Sequence, residues 1–292
     1  MVAEEYLKAG AIARKVREEV RRMYLIGMSY LDVVEFVERR IREEGGEPGF
    51  PCNISVNEVT AHYTPFEEDG KVVKDGDVVK IDLGVHINGY IADTAVTVCY
   101  NDEHLRMLGR NEEALLKAIR LVRDGELVGR IGKEIEDTAH AYGYKPIANL
   151  GGHGIGRYRI HTGKSIPNVW VPSEERRRSG EVIAIEPFFT TGKGAGYVIE
   201  GGIGNIYSLL RRKKLKGEAG RLLDLIWERY KTMPFTSRWL KDEFPNVREL
   251  LGELVKKKFV RAYPMLVEAN GEVTTQAEHT MIVGEGGATV IT

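Results

Sequence analysis

An α+β fold built from two similar halves is what this sequence predicts, and three observations carry the prediction. Stretches with helical spacing come in pairs, each pair followed by strand-like sequence, so the order helix, helix, strands runs twice. Between the pairs lies an apolar hairpin, residues 77–100, rich in Val, Ile, Tyr and Thr. Within the second half, residues 209–261 carry 15 Lys and Arg against 7 Asp and Glu, a net of +8 in a chain whose total is −1. Such a charge split marks an inserted segment with its own surface role.

In chain order, residues 2–22 and 29–44 are spaced as helices. In the second, Leu31, Val34, Val37 and Ile41 make one stripe, ended by Gly45-Gly46. Residues 51–63 are extended and carry His62. In the hairpin, Asn88 and Gly89 suit the two central positions of a type I′ turn, which both need positive φ. Ile87 then pairs with Tyr90, Gly84 with Asp93 and Asp82 with Ala95. Asp82 and Asp93 become diagonal neighbours on one face, with Gly84 leaving room between them. Asn101 caps a helix bearing Leu105, Leu108, Leu115, Ile119 and Val122, and residues 129–142 form another. Glycine-rich, strand-like sequence follows. In the basic segment, residues 218–230, 236–244 and 247–258 read as three short helices ahead of a strand-like RAYPMLVE, an order resembling a winged helix.

The 292 residues, 42% hydrophobic and 29% charged, suffice for a large core in a soluble chain. Cys52 and Cys99 form no CxxC motif, which suits a reducing compartment. The first ten residues lack a basic start and an apolar run, and no window reaches about 18 apolar residues. The expectation is a cytoplasmic protein without membrane contact.

Charge counting supplies the chemistry. Two carboxylates on the buried face of an apolar hairpin repel unless a cation lies between them. Glu186, inside VIAIEPFF, is costly there unless paired or on a metal. Glu278 shares a strand face with Gln276 and Thr280. Asp82, Asp93, Glu186 and Glu278 give four negative charges, matching two divalent cations. His153, flanked by glycines in GGHGIG, adds a neutral nitrogen. That oxygen-rich set suits Mn²⁺, Fe²⁺ or Co²⁺ at least as well as Zn²⁺. The glycine spacing is not that of a dinucleotide loop, and Gly163-Lys164-Ser165 has Tyr158 where a phosphate loop needs glycine. Of the other histidines, His104 and His140 fall on polar helical stretches, His86 lies beside the turn and His279 faces away from Glu278. His62 and His161 remain as active-site candidates.

The motifs AHYTP, KIDLGVHINGYIADTA, GGHGIG with IHTGKSIPN, AIEPF and QAEHT, in this order and spacing, resemble those of type 2 methionine aminopeptidases in their compact archaeal form. The resemblance spans nearly the whole chain. It implies the pseudo-twofold pita-bread fold of creatinase and the aminopeptidases, formed by residues 1–208 and 262–292, with 209–261 as the helical, winged-helix-like insert of type 2. It implies that Asp82, Asp93, His153, Glu186 and Glu278 hold two divalent ions, with Asp93 and Glu278 bridging. Phe50, Ile160 and Tyr263 match the methionine pocket, and His62 and His161 the two active-site histidines that bind no metal. The implied activity is hydrolytic removal of the initiator methionine from nascent polypeptides with a small second residue. In that reaction His161 stabilises the developing oxyanion, His62 positions the next peptide group and Glu278 passes the proton to the leaving amine. One departure stands out: eukaryotic members carry histidine before the tyrosine matched by Tyr207, and here that residue is Ile206. Rival expectations are an Xaa-Pro dipeptidase or aminopeptidase P of the same fold, and a non-catalytic ribosome- or nucleic-acid-binding member. The expected partners are nascent N-termini and, through the basic insert, ribosomal RNA, with no sequence-specific DNA recognition and a monomeric state.

Overall fold

The structure is a computed structural model and describes residues 3–292; Met1 and Val2, which the first expected helix includes in part, lie outside the described residues. The first half runs α1 (Glu4–Arg21), α2 (Tyr30–Glu43), β1 (Glu47–Val56), β2 (Val59–Ala61), β3 (Val78–Ile87) and β4 (Tyr90–Cys99). The second half runs α3 (Asp102–Leu121), α4 (Val128–Ala141), β5 (Lys145–Pro146), β6 (Gly151–Ile155), β7 (Ser165–Pro167), β8 (Val182–Ile185), β9 (Phe188–Thr190) and β10 (Val198–Leu209). After α5 (Gly217–Tyr230) and α6 (Val247–Lys256) come β11 (Val260–Glu268), β12 (Thr274–Gln276), β13 (Glu278–Val283) and β14 (Ala288–Val290).

Local chemistry accounts for the boundaries. Ser29 caps α2 by accepting from the Asp32 N–H, and Asn101 caps α3 by accepting from the Glu103 N–H. Asn88 and Gly89 both take positive φ, and β3 pairs with β4 from Ile87–Tyr90 back to Val78–Cys99 without a slip. The hairpin register is therefore the one the turn residues dictate.

One large sheet has the strand order β1-β3-β4-β13-β8-β6-β7, with β14 beside β13. The first half supplies β1, β3 and β4; the second supplies the rest. Helices α1 and α2 close over a core that includes Val16, Val20, Val34, Val37, Ile81 and Leu83. Helices α3 and α4 close over Leu115, Ile131, Ile135, Ile183 and Ile185. This curled sheet with paired helices fits the pita-bread description.

The basic segment departs from expectation in one respect. Its middle helix, expected over 236–244, is a single 3₁₀ turn, Ser237–Trp239. Glu38 in α2 accounts for the break: its carboxylate accepts from both Arg238 Nη atoms and from Trp239 Nε1, so that turn is shaped by the body rather than by its own periodicity. The segment leaves and re-enters through the β10–β11 pair, where Leu209 faces Val260, and has its own apolar core around Leu222, Ile226, Phe235 and Leu251.

Candidate metal centre

Five neighbouring strands of the large sheet each bring one chemistry-bearing side chain to a common place. Asp82 stands on β3, Asp93 on β4, Glu278 on β13, Glu186 just past the end of β8, and His153 on β6. Asp82 and Glu278 both pair with Ala95, so these two acids flank a residue with only a methyl group. Asp93 faces Gly84, and His153 faces Ala184. Ala95 and Ala184, with only methyl groups, leave the side chains beside them room to converge.

They do converge. One ligand atom each from Asp93, His153 and Glu278 lie within 4.8 Å of one another. His153 Nε2 is 3.5 Å from Asp93 Oδ2 and 3.6 Å from Glu186 Oε1. Among the described residues, buried Asp82 Oδ1, Asp93 Oδ1 and Glu278 Oε1 find no hydrogen-bond donor. Burial first, and the neighbouring acids second, push the Asp82, Glu186 and Glu278 carboxyls well above their ordinary range. Burial pushes Asp93 up to about 8. Burial also holds the His153 imidazole neutral, its pKa lowered to about 4. Unpartnered carboxylate oxygens, too many acids to ionise together and a neutral imidazole are what divalent cations would satisfy. The residues fit the group.

A cavity of about 620 Å³ opens onto this cluster. Phe50, Ile160 and Tyr263 line it, as do His62 and His161. Glu278, 1% exposed, is buried behind the lining, with a carboxylate oxygen within 4.8 Å of ligand atoms of Asp93 and His153. The His161 and His153 rings meet edge to face at 4.2 Å, and His62 meets Tyr263 in the same way at 5.7 Å. Burial lowers His62 to about 4 and His161 to about 3, so both rings are neutral near pH 7. His86 and His279 stand apart, as expected: His86 Nδ1 accepts from the Gly89 N–H, and His279 Nδ1 meets Arg17 on the far side of the sheet.

The model of metallopeptidase family M24 matches residues 4–204. Methionine aminopeptidase of Methanocaldococcus jannaschii is 45% identical over 291 residues, covering 99% of this chain and 98% of that protein. The chain belongs to family M24. Solved structures agree on the fold. A thermophilic Arx1 matches at TM-score 0.83 and 18% identity, over 100% of this chain and 91% of that one. Methionine aminopeptidase of Thermotoga maritima matches at 0.72 and 23%, over 99% and 95%.

For a family M24 site, three further features escaped sequence reasoning. Gln276 Nε2 lies 3.4 Å from Asp82 Oδ2 and 3.5 Å from Glu278 Oε2, so one amide spans two acids. Its place two residues before Glu278, on the same strand face, was the available signal. Asn53, beside Asp82 in the β1–β3 pairing, lines the cavity. The room beside Gly84 is not empty space between the two Asp residues: the Phe50 ring fills it. No local pattern in the sequence marks that contact.

Proposed function

We propose that this chain is a methionine aminopeptidase of type 2 that removes the N-terminal methionine from nascent polypeptides whose second residue is small. One observation carries the reading: Asp82, Asp93, Glu186 and a neutral His153, with Glu278 buried beside them, line a cavity whose walls include Phe50, Ile160 and Tyr263. Asp82, Asp93, His153, Glu186 and Glu278 would hold two divalent ions, of which Co²⁺, Mn²⁺ and Fe²⁺ suit the donor set and Zn²⁺ is compatible. When bound, such ions supply Lewis acidity and lower the pKa of water toward neutrality.

The chain's own residues do the rest. The apolar walls take the unbranched thioether side chain. His161, neutral and beside His153, offers an N–H to the carbonyl oxygen as negative charge develops there. His62, across from Tyr263, positions the next peptide group. Glu278 passes a proton to the leaving amine. Residues 209–261 form an accessory subdomain on the catalytic body, 1–208 and 262–292, and Pro234 from it reaches the cavity wall.

The basic face of that subdomain would dock on ribosomal RNA, in a monomeric cytoplasmic enzyme. Among the described residues no helix is long and apolar enough to cross a membrane. Cosedimentation with ribosomes should then weaken steeply as salt rises, since phosphate contacts release counterions. The deciding experiment pairs metal analysis with peptide cleavage. Two ions per chain and release of methionine from Met-Ala-Ser, with Xaa-Pro peptides uncut, are expected. Cleavage of Xaa-Pro alone would make the protein a dipeptidase of the same fold, and no cleavage of either would leave a binding protein.

A further inference from the structure

The two half-sheets that share the metal centre meet at a seam between β4 and β13, and that seam holds little backbone pairing. Only Glu278–Ala95 and His279–Thr94 pair there. Beyond each end a threonine hydroxyl stands in for the missing backbone partner. Thr280 Oγ1 accepts from the Asp93 N–H and donates to the Asp93 carbonyl, both at 2.8 Å. Thr97 Oγ1 donates to the Gln276 carbonyl at 2.6 Å and accepts from the Gln276 N–H at 3.0 Å. The two contacts are reciprocal: one threonine from each strand grips the backbone of a residue across the seam.

A third hydroxyl works from behind. Thr94 Oγ1 donates to the Glu278 carbonyl at 2.8 Å and accepts from Arg17 Nη1 of α1, also at 2.8 Å. All three threonines are buried. Asp93 and Asp82 belong to one side of the seam, Glu278, Glu186 and His153 to the other. The spacing of the two acid sets is therefore set where backbone pairing is sparse and hydroxyls replace it.

We infer that Thr280 and Thr97 are positioning residues for the metal centre: Thr280 fixes Asp93 against Glu278, and Thr97 fixes Gln276, whose amide spans Asp82 and Glu278. The inference rests on the metal reading above. Valine keeps the shape of threonine and removes the hydroxyl, leaving the gripped N–H and carbonyl unpaired.

The test titrates Co²⁺ into the apo full-length chain by calorimetry and records the visible absorption of the Co²⁺ form. Removing an outer partner of a metal ligand typically lowers affinity about 10–100-fold. Thr280→Val should show a loss of that size with an altered Co²⁺ spectrum, and Thr280→Ser should restore both. Thr97→Val should act in the same direction and carries the comparison if Thr280→Val does not fold. Thr190→Val serves as the control, because its buried hydroxyl donates to the Val273 carbonyl and to no residue across the β4–β13 seam. It should lower the melting temperature and leave Co²⁺ affinity and spectrum alone. Tight wild-type binding with unchanged affinity and spectrum in Thr280→Val overturns the inference while leaving the metal reading intact. A wild-type chain that takes up no Co²⁺ overturns both.

Discussion

Gly84 is wedged between two functional residues: it faces Asp93 across the hairpin and Phe50 across the β1–β3 pair, and a Cβ placed on it would overlap the Phe50 ring. The glycine thus couples an acid of the metal centre to a wall of the cavity. Gly84→Ala should push Phe50 into the space meant for the methionine side chain. Overpacking of this kind costs about 1–3 kcal/mol. KM for Met-Ala-Ser should rise several-fold while metal content stays at the wild-type value. An unchanged KM would mean the ring has another place to go.

Acids crowded together without cations cost the apo chain stability, so replacing one should help the apo chain and hurt the loaded one. Asp93→Asn keeps shape and hydrogen-bonding capacity but removes a carboxylate whose pKa burial pushes up to about 8. In thermal melts at pH 8, apo Asp93→Asn should melt above the apo wild type, and added Mn²⁺ should raise it far less. A variant that gains as much from Mn²⁺ as the wild type would remove Asp93 from the ligand set.

The same shifts set a pH dependence whose sign can be worked out. A carboxyl with a raised folded pKa holds a proton that the unfolded chain has already lost. For Asp93 the window runs from about 4 to about 8, and the apo chain loses stability as pH rises through it. His62, His153 and His161, held at about 4, about 4 and about 3, act in the opposite sense, costing stability as pH falls below the ordinary histidine value of 6.5. Above about pH 6.5 those histidines are neutral whether folded or not, so the carboxyls are opposed there by Lys80, whose buried ammonium, lowered to about 7, adds stability as pH rises further, away from the acid cluster. The Mn²⁺-induced rise in melting temperature should therefore grow between pH 6.5 and 8, with proton release seen by calorimetry in two buffers of different ionisation enthalpy. A flat response would contradict the assignment.

The two neutral histidines should separate kinetically. His161 lies against His153 at the metal centre, whereas His62 lies against Tyr263 at the pocket wall. Loss of a donor aimed at a developing oxyanion lowers kcat about 10²–10³-fold. His161→Ala should show a fall in kcat of that order with KM little changed, and His62→Ala should act mainly on KM. The reverse pattern in steady-state kinetics would exchange their roles.

How much of this was readable beforehand follows from how local each feature is. The hairpin register was readable because Asn88 and Gly89 fix the turn, and a fixed turn fixes every pair behind it. The convergence of Asp82, Asp93, His153, Glu186 and Glu278 was readable because acids set within apolar strands call for cations. Their partners were not. Gln276 and Thr280 look like ordinary strand residues until they are laid against Asp82 and Asp93, more than 180 positions earlier in the chain. The 3₁₀ turn at Ser237–Trp239 was misread as part of a helix for the same reason: what shapes it, Glu38, lies 200 residues away.

That contact supports the last prediction. Glu38 in α2 is 3% exposed and receives Arg238 Nη2 at 2.8 Å, Arg238 Nη1 at 3.1 Å, Trp239 Nε1 at 2.8 Å and the Cys52 N–H at 3.2 Å. Arg238 also donates to Thr64 Oγ1 and the Pro65 carbonyl, so the guanidinium is buried with its donors directed at the catalytic body. Removing one member of a buried pair leaves the other charged and unpaired, at a cost of about 3–5 kcal/mol, whereas replacing both with apolar residues is often neutral. Glu38→Ala should lose stability of that order in urea. It should also raise KM, because Pro234, four residues before Arg238, would no longer be held against the cavity. Glu38→Leu combined with Arg238→Leu should recover much of the stability, yet its KM should stay high if the directed hydrogen bonds, rather than burial alone, seat the subdomain. Wild-type KM in that double variant would show that apolar packing suffices.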